Sequence, residues 1–459
     1  MKSIGREGIN QVMRRIKKSW LWRGFALGLM LTPLSLLAEP FQDLQGEVEQ
    51  HYDSELKALF EHFHANPELS FVEVESAALI AERLKKEGYE VHTGIAQTGV
   101  VALLRNGDGP LVMMRADMDA LPVKELTQLP YASTVMQQNS EGEMFPVMHA
   151  CGHDVHMTSL IGTARYMAAH RETWAGTLML IAQPAEEWKL SGAEAMRAAR
   201  IWERFGTPDY AMAFHVTADL EAGLLFASTG AAYSAVDSLD IIVPGIGAHG
   251  ASPHRGRDPV VIGSQIVLAL QTIVSRELSP REPGVVTVGV FNAGNKRNVI
   301  GEEARLELTV RSDSRATRAK LLSAIERIAI NIGRAGGLPD DRLPRIELKG
   351  GVPVTANDPD VAARVVMAWE KRLGTAMITN YEREGMGGED FPFFTQEPDI
   401  PSVYFAVGGT TKARFKAFAD RGESLPSHHS PLFEIEPRSS VISGVLGTVT
   451  ALQALMPLR

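Results

Sequence analysis

The order of predicted elements between residues 231 and 346 constrains the fold of this 459-residue chain more than any other feature. Strand and helix periodicities there predict strands at 237–243, 285–290, 304–310 and 345–348, and helices at 258–278 and 315–333. Strand, helix, strand, strand, helix, strand is the ferredoxin-like order. We therefore expect a self-contained α+β unit over residues 231–346.

Segments of α/β type lie on both sides of this unit. Apolar strands alternate with amphipathic helices over residues 45–230, and the same pattern resumes over 347–459. We expect one discontinuous α/β domain, with a mixed sheet covered by helices on both faces, into which the α+β unit is inserted. Near its start, 100–104 and 111–114 are predicted strands, and the turn sequence 106–109 (Asn-Gly-Asp-Gly) predicts that they form a hairpin.

The first 38 residues are typical of a secretory signal peptide. A region with seven basic residues and one acidic residue precedes a short apolar run that ends at Ala38. We expect a periplasmic or secreted protein, with an uncleaved membrane anchor as the alternative. Removal of this segment would change the net charge from −9 to −15. Such an acidic chain is a poor nucleic-acid binder.

The only cysteine of the chain stands among three histidines within residues 149–156. Cys151 and His153 flank Gly152, and in an extended or looped backbone this spacing directs both side chains the same way. A thiolate and an imidazole that converge are suitable ligands for a divalent metal ion. A buried free cysteine beside histidines is the alternative, and the segment alone does not decide between the two.

Further candidate ligands follow other predicted strands. These are Asp117 and Asp119, Glu186 and Glu187, His215, and one of His428 or His429. A solvated turn could also account for the aspartates, and a helix N-terminus for the glutamates. Ligands of mixed N, O and S type delivered by separate loops favour a two-metal hydrolytic centre over a closed structural zinc site. Glu186, beside a ligating carboxylate, could then remain unbound and act as general base.

Eight short runs, in the same order along the chain, resemble the di-metal amidohydrolases of the aminoacylase, hippurate hydrolase and indole-acetyl-amino-acid hydrolase branch. The resemblance extends from residue 50 to the C-terminus. It implies a metallopeptidase-type catalytic domain with an inserted lid and dimerisation domain. The runs are 63–70, 115–122, 149–156, 183–187, 245–254, 298–300, 388–391 and 429–431.

The same resemblance implies a role for each matching residue. The ligands of two divalent ions, zinc or manganese, would be Cys151, His153, Glu187, His215 and His429, with Glu186 as general base. His249 would reach the active site from the lid, often from a partner subunit. Asn298 and Arg311 would bind the substrate, and Asp117 and Asp119 would support the ligands.

The expected activity is hydrolysis of the amide bond of N-acyl amino acids by metal-activated water. A carboxypeptidase or dipeptidase on the same scaffold is the nearest rival, and a catalytically inactive binding protein is a rival of another class. The chain departs from the branch after the paired glutamates, where Trp188 and Lys189 replace a glycine-rich run. This departure leaves the size of the acyl group open.

Overall fold

The computed structural model describes residues 39–139, 141–381 and 383–458, with side chains from Leu44 onwards. The predicted signal segment, residues 1–38, lies outside them. Two π-helical turns, Tyr52–Leu56 and Ile273–Glu277, follow the first and seventh helices. Helices α1 to α12 are Glu39–His51, Lys57–Ala65, Val74–Lys86, His153–Ala169, Gly192–Ala198, Ile201–Phe205, Pro259–Thr272, Arg315–Ala335, Pro359–Arg372, Pro392–Thr395, Lys412–Arg421 and Pro437–Leu455.

The strands of the described residues form two larger sheets and three small ribbons. Strands β1 to β17 are Glu90–Ile95, Gly99–Asn106, Leu111–Asp117, Met136–Gln138, Met144–Pro146, Gly176–Gln183, Tyr210–Glu221, Leu225–Phe226, Ala231–Tyr233, Ala235–Pro244, Ala248–His249, Gly284–Ala293, Val299–Ile300, Glu303–Ser312, Arg345–Val352, Thr355–Ala356 and Ser402–Thr410.

The larger sheet is mixed and has seven strands in the order β1-β2-β6-β3-β7-β17-β8. Strands β6, β3, β7 and β17 are parallel, whereas β1, β2 and β8 add antiparallel edges. The predicted hairpin of the second and third strands is wrong. Strand β6 lies between β2 and β3 and pairs with both, so the turn sequence reverses the chain without joining sheet neighbours.

Both faces of this sheet are buried, which explains why its strands are continuously apolar. Alternate residues of β6 enter different cores because side chains alternate across a strand. Leu178 and Leu180 pack with helices α1–α4, α9 and α12 on one face. Met179 and Ile181 pack on the other face, where α5, α6 and α10 lie. The predicted fold class, a mixed sheet between helices, is confirmed.

The predicted α+β unit forms the second sheet. Its four strands, all antiparallel, have the order β12-β14-β10-β15, and α7 and α8 cover one face. This is the ferredoxin-like arrangement that the element order predicts. The residue boundaries proposed for the domains, 45–230, 231–346 and 347–459, stay a prediction, because residues 41–459 form one compact unit in the structure.

The cysteine segment lies at the start of helix α4, next to the large sheet. The helix begins at His153, and Gly152 precedes it with a φ of +84°. A Cβ at Gly152 would lie 2.4 Å from Val216 Cγ1 of β7. Only glycine therefore fits this close approach and this backbone conformation. As a result Cys151 and His153 lie against the strand that carries His215.

Candidate metal centre

Five overlapping groups of possible metal-binding side chains occur among the described residues, and two of them contain Cys151. Cys151, His153 and His215 form one group, and Cys151, Glu187 and His429 form the other. Within each group the candidate donor atoms all lie within 4.8 Å of one another. The structure therefore brings together the five ligands that the sequence predicts, and Cys151 is common to both groups.

The imidazoles of His153 and His215 have the hydrogen bonding expected of ligands. His153 Nδ1 donates to the carbonyl oxygen of Asp119 (2.7 Å), and His215 Nδ1 donates to that of Val216 (2.6 Å). This leaves Nε2 of each ring as the atom that can bind a metal once it carries no proton. His215 Nε2 lies 3.4 Å from Cys151 Sγ, and the buried His153 Nε2 makes no hydrogen bond with the described residues. Metal-binding histidines commonly show this backbone support.

The charges at the centre also fit cations. Burial raises the pKa of the Cys151 thiol well above its usual range, and Glu187 and Glu186 add to this effect. Burial lowers the pKa of His153, but Asp117 and Asp119 outweigh it and raise the pKa to about 10. The buried carboxylates make the potential at this cluster negative. Such a potential disfavours a thiolate and retains protons, and divalent cations would stabilise it. The residues present therefore fit a metal centre.

Hydrogen bonds distinguish His156, His428 and His429 near the centre, and both ring nitrogens of His156 are occupied by protein partners. His156 Nδ1 donates to Asp117 (2.5 Å), and its Nε2 accepts the amide N–H of Val216 (2.9 Å). His428 Nε2 donates to the carbonyl oxygen of Val216 (3.1 Å), whereas His429 Nε2 lies 3.3 Å from Glu187 Oε1. Of the two histidines left open by the residues alone, His429 faces the centre.

His149 lies apart from the candidate donor groups. It borders a small cavity with His64 and Asp154, away from Cys151 Sγ. Neither of its ring nitrogens makes a hydrogen bond with the described residues. Burial lowers its pKa to about 4, so it is neutral.

Asp119 positions the candidate base and a candidate ligand together. Its Oδ1 accepts the amide N–H of Glu186 (3.1 Å), and its Oδ2 accepts that of Glu187 (2.9 Å). Ser70 donates to the same Oδ2 (2.6 Å). Since its carbonyl oxygen also accepts from His153, Asp119 contacts both sides of the candidate centre.

Glu186 is buried beside other carboxylates. Burial raises its pKa well above the usual range, and Glu389, Glu187 and Asp390 raise it further. Among the described residues no side chain donates a hydrogen bond to its carboxylate. A buried carboxylate of high proton affinity, without a fixed partner, is suited to accept and return a proton.

Arg115, to which the sequence prediction assigned no role, binds several buried acidic side chains near Glu186. Its side chain, fully buried, donates to Gln183 (2.7 Å), Asp117 (2.6 Å), Glu389 (2.7 Å) and Asp390 (3.1 Å). Glu389 and Asp390 follow a loop that is distant in sequence from Arg115. In the sequence, this network could have been suspected from the runs 115–122 and 388–391, since both contain charged residues next to apolar ones.

The candidate ligands open into a cavity of about 470 Å³. Cys151, Glu186 and Glu187 line it on one side, with His215 and His429. Tyr233, Tyr381 and Arg383 are among the residues that line the remainder. The cavity is large enough for a small amide substrate.

The three predicted lid residues do not line this cavity in the part of the chain that the structure describes. His249 is exposed on β11, which pairs with β13, and Gly250 donates to the carbonyl oxygen of Asn298 (2.8 Å). Arg311 lies on β14, where its Nε donates to Thr309 (3.2 Å). His249 and Asn298 thus neighbour each other, away from the five candidate ligands.

Strand β7 differs from the prediction at the centre. The predicted strand ends before His215, whereas β7 continues to Glu221 because β17 pairs with it beyond that point. Pairing with β3 stops at Ala213. His215 therefore lies just beyond the point where β7 loses β3 as a neighbour.

Cys151→Ser should reduce the metal content of the reconstituted protein by one half or more, because a hydroxyl is a weak substitute for a thiolate. Elemental analysis of reconstituted protein measures this. Circular dichroism should show an unchanged fold, since the substitution is nearly isosteric. A variant that retains the full metal content would contradict the assignment of Cys151 as a ligand.

Comparison with known proteins identifies the family. Residues 113–420 match the peptidase family M20/M25/M40. The chain is 37% identical to a hippurate hydrolase from Campylobacter jejuni over 355 residues, which cover 77% of this chain and 86% of the relative. It is 34% identical to thermostable carboxypeptidase 2 from Saccharolobus solfataricus over 350 residues, 75% and 83% of the two chains. A dinuclear metal-binding M20 peptidase from Bacillus subtilis superposes with a TM-score of 0.70 at 28% identity, covering 88% and 98% of the chains. The chain therefore belongs to the M20/M25/M40 family of peptidases and is a hydrolase.

Proposed function

We propose that this protein is a metal-dependent amidohydrolase that cleaves the amide bond of N-acyl amino acids. The observation that carries the proposal is the position of Glu186 beside the five candidate ligands, buried and with no hydrogen bond from the described residues to its carboxylate. The similarity to a hippurate hydrolase supports the substrate class.

The five candidate ligands would hold two divalent ions, zinc or manganese, which supply Lewis acidity and lower the pKa of water. Glu186 accepts a proton from the attacking water and returns it to the leaving nitrogen. Asp119 fixes the backbone of Glu186, so that the carboxylate remains in the cavity. Asp117, held by Arg115 and His156, supports this side of the centre.

Hydrolysis by metal-reconstituted protein tests the proposal. N-benzoylglycine and other acyl-amino acids should be cleaved, a chelator should abolish the activity, and zinc or manganese should restore it. Dipeptides with a free amino group provide the comparison. Faster cleavage of dipeptides would favour the carboxypeptidase or dipeptidase alternative, which the similarity to a carboxypeptidase supports. Binding without turnover would instead indicate an inactive binding protein.

A homodimer formed through the inserted unit would bring His249 to the centre. Helix α7 exposes Val261 and Leu268, and the edge strand β12 exposes Val285 and Phe291. Exposed apolar side chains of this kind are typical of interfaces. His249 of one subunit would then reach the cavity of the other and donate to the oxyanion of the transition state. Asn298 and Arg311 would bind the substrate from the same side.

His249→Ala should lower kcat more than it raises KM, with metal content unchanged, because an oxyanion contact is made mainly in the transition state. Steady-state kinetics measure this. Mixing the His249→Ala and Glu186→Gln proteins, each nearly inactive, should restore activity when subunits exchange, since one mixed site is then intact. No recovery after demonstrated exchange would place His249 in its own chain's site.

Export to the periplasm or secretion is the proposed location, supported by the basic and apolar order of residues 1–38. N-terminal sequencing of protein recovered after export tests it. A new N-terminus near Glu39 is the expected result, and an intact N-terminus in the membrane fraction would indicate an anchor instead.

A further inference from the structure

A second cavity of about 500 Å³ adjoins the one that holds the candidate ligands. Its lining combines polar groups with apolar and aromatic side chains, among them Phe226, Met386 and Phe405, and Pro283 is contributed by the inserted unit. The two cavities share five lining residues, which are Thr217, Tyr233, Tyr381, Arg383 and Gly385. The two cavities therefore meet at these residues.

Arg383 is the one charged residue in this shared wall, within the part of the chain that the structure describes. Its guanidinium lies 5.2 Å from the centroid of the Tyr233 ring and donates to Ser234 Oγ (3.1 Å). A second, longer contact reaches the carbonyl oxygen of Gly387 (3.4 Å). The side chain is 22% exposed, so it is fixed in place yet accessible from the cavities.

The acids near Arg383 leave it able to bind an anion. Asp313 lies 3.5 Å away but also accepts from Ser234, so the ion pair is long and shared. Glu384, which lines the second cavity, is exposed and therefore solvated. A guanidinium has five N–H donors, more than these contacts use.

We propose that Arg383 binds a carboxylate of the substrate at the junction of the two cavities and so selects substrates that are anionic beyond the scissile amide. The proposal rests on the proposed amidohydrolase function. The carboxylate could belong to the amino acid or to the acyl group, and the second cavity would hold apolar atoms next to it. Bidentate binding of a carboxylate suits a guanidinium whose position is fixed by an aromatic ring and a hydrogen bond, as that of Arg383 is.

Calorimetric binding to metal-loaded Glu186→Gln protein tests the proposal without turnover. One ligand pair, N-benzoylglycine and N-benzoylglycinamide, differs only in the amino-acid carboxylate. The other, N-succinylglycinamide and N-succinamoylglycinamide, differs only in a carboxylate of the acyl group. The Arg383→Met substitution is added to this protein. It should weaken the binding of one of the two acids by about 10- to 150-fold, the range for a hydrogen bond to a charged group. The binding of the matched amide should change little. The pair that responds identifies the source of the carboxylate.

Two further variants distinguish recognition of the carboxylate from a general loss of structure in the cavity wall. Asp313→Asn removes the ion-pair partner, so it should bind the acid at least as tightly as the unsubstituted protein. Arg414→Met is a matched control, because Arg414 is also partly buried and ion-paired, with Glu434, but lines neither cavity. Its binding should be unchanged.

The proposal is overturned if Arg383→Met weakens acid and amide equally, or weakens neither. It is also overturned if Asp313→Asn weakens binding as much as Arg383→Met does, or if none of the four ligands binds. Failure of the amidohydrolase function would be seen separately, as wild-type protein that binds these ligands but hydrolyses none.

Discussion

Glu186→Gln should lower kcat by about 10²- to 10⁴-fold, the usual loss when a general base is removed, with metal content unchanged. Glutamine preserves the size of the side chain but cannot accept the proton of the attacking water. The backbone N–H of residue 186 still reaches Asp119, so the loop should keep its position. Kinetics and elemental analysis on the same preparation measure both effects.

The neighbouring carboxylates provide the contrast. Glu187→Gln should lose metal, because Glu187 is a candidate ligand. Glu389 is a poor alternative base, since Arg115 and Tyr404 both donate to its carboxylate (2.7 and 2.5 Å). A kcat close to that of the wild type, with metal bound to Glu186→Gln, would remove Glu186 from the mechanism.

Arg115→Met should lower the free energy of unfolding by about 3–5 kcal/mol, as expected when one partner of a buried ionic network is removed. Methionine fills similar space but leaves Asp117, Glu389 and Asp390 buried without their common cation. Protonation of these acids reduces the loss at low pH, so the difference from wild type should shrink as the pH falls. Urea denaturation of metal-free protein measures both.

Arg105→Met is the matched control. Arg105 also lies on a strand of the large sheet and pairs with Glu90, but its side chain is 60% exposed. Exposed ion pairs contribute about 0–1 kcal/mol, so this variant should resemble the wild type. Equal stability of the Arg115 and Arg105 variants would mean that the buried network adds nothing to the fold.

Local periodicity made the inserted unit predictable. Its strands and helices follow one another along the chain, and each strand buries one face against α7 or α8. The false hairpin shows the limit of such reasoning. The turn at 106–109 is real, but the partner of β2 is β6, some 70 residues later, and no short-range pattern specifies this pairing.

The candidate ligands were predictable because their residue types and positions after apolar strands are unusual. Other features of the site depend on three-dimensional packing, which the sequence does not specify. His153 and His156 are alike in sequence, and only the hydrogen bonds of His156 to Asp117 and Val216 distinguish them. Arg383 stands in no recognisable motif, and its place between two cavities follows from tertiary packing alone.

The position of β17 in the sheet has a consequence for synthesis of the protein. A ribosome-bound chain that ends before Ser402 has already made β7 but lacks the strand that covers its edge. Such a chain also lacks His429, whose amide N–H donates to Ala150 beside the cysteine (2.8 Å). An uncovered strand edge readily pairs with other chains. This edge of β7 therefore stays uncovered until almost all of the residues have been made, and only then can both groups of candidate ligands that contain Cys151 be complete.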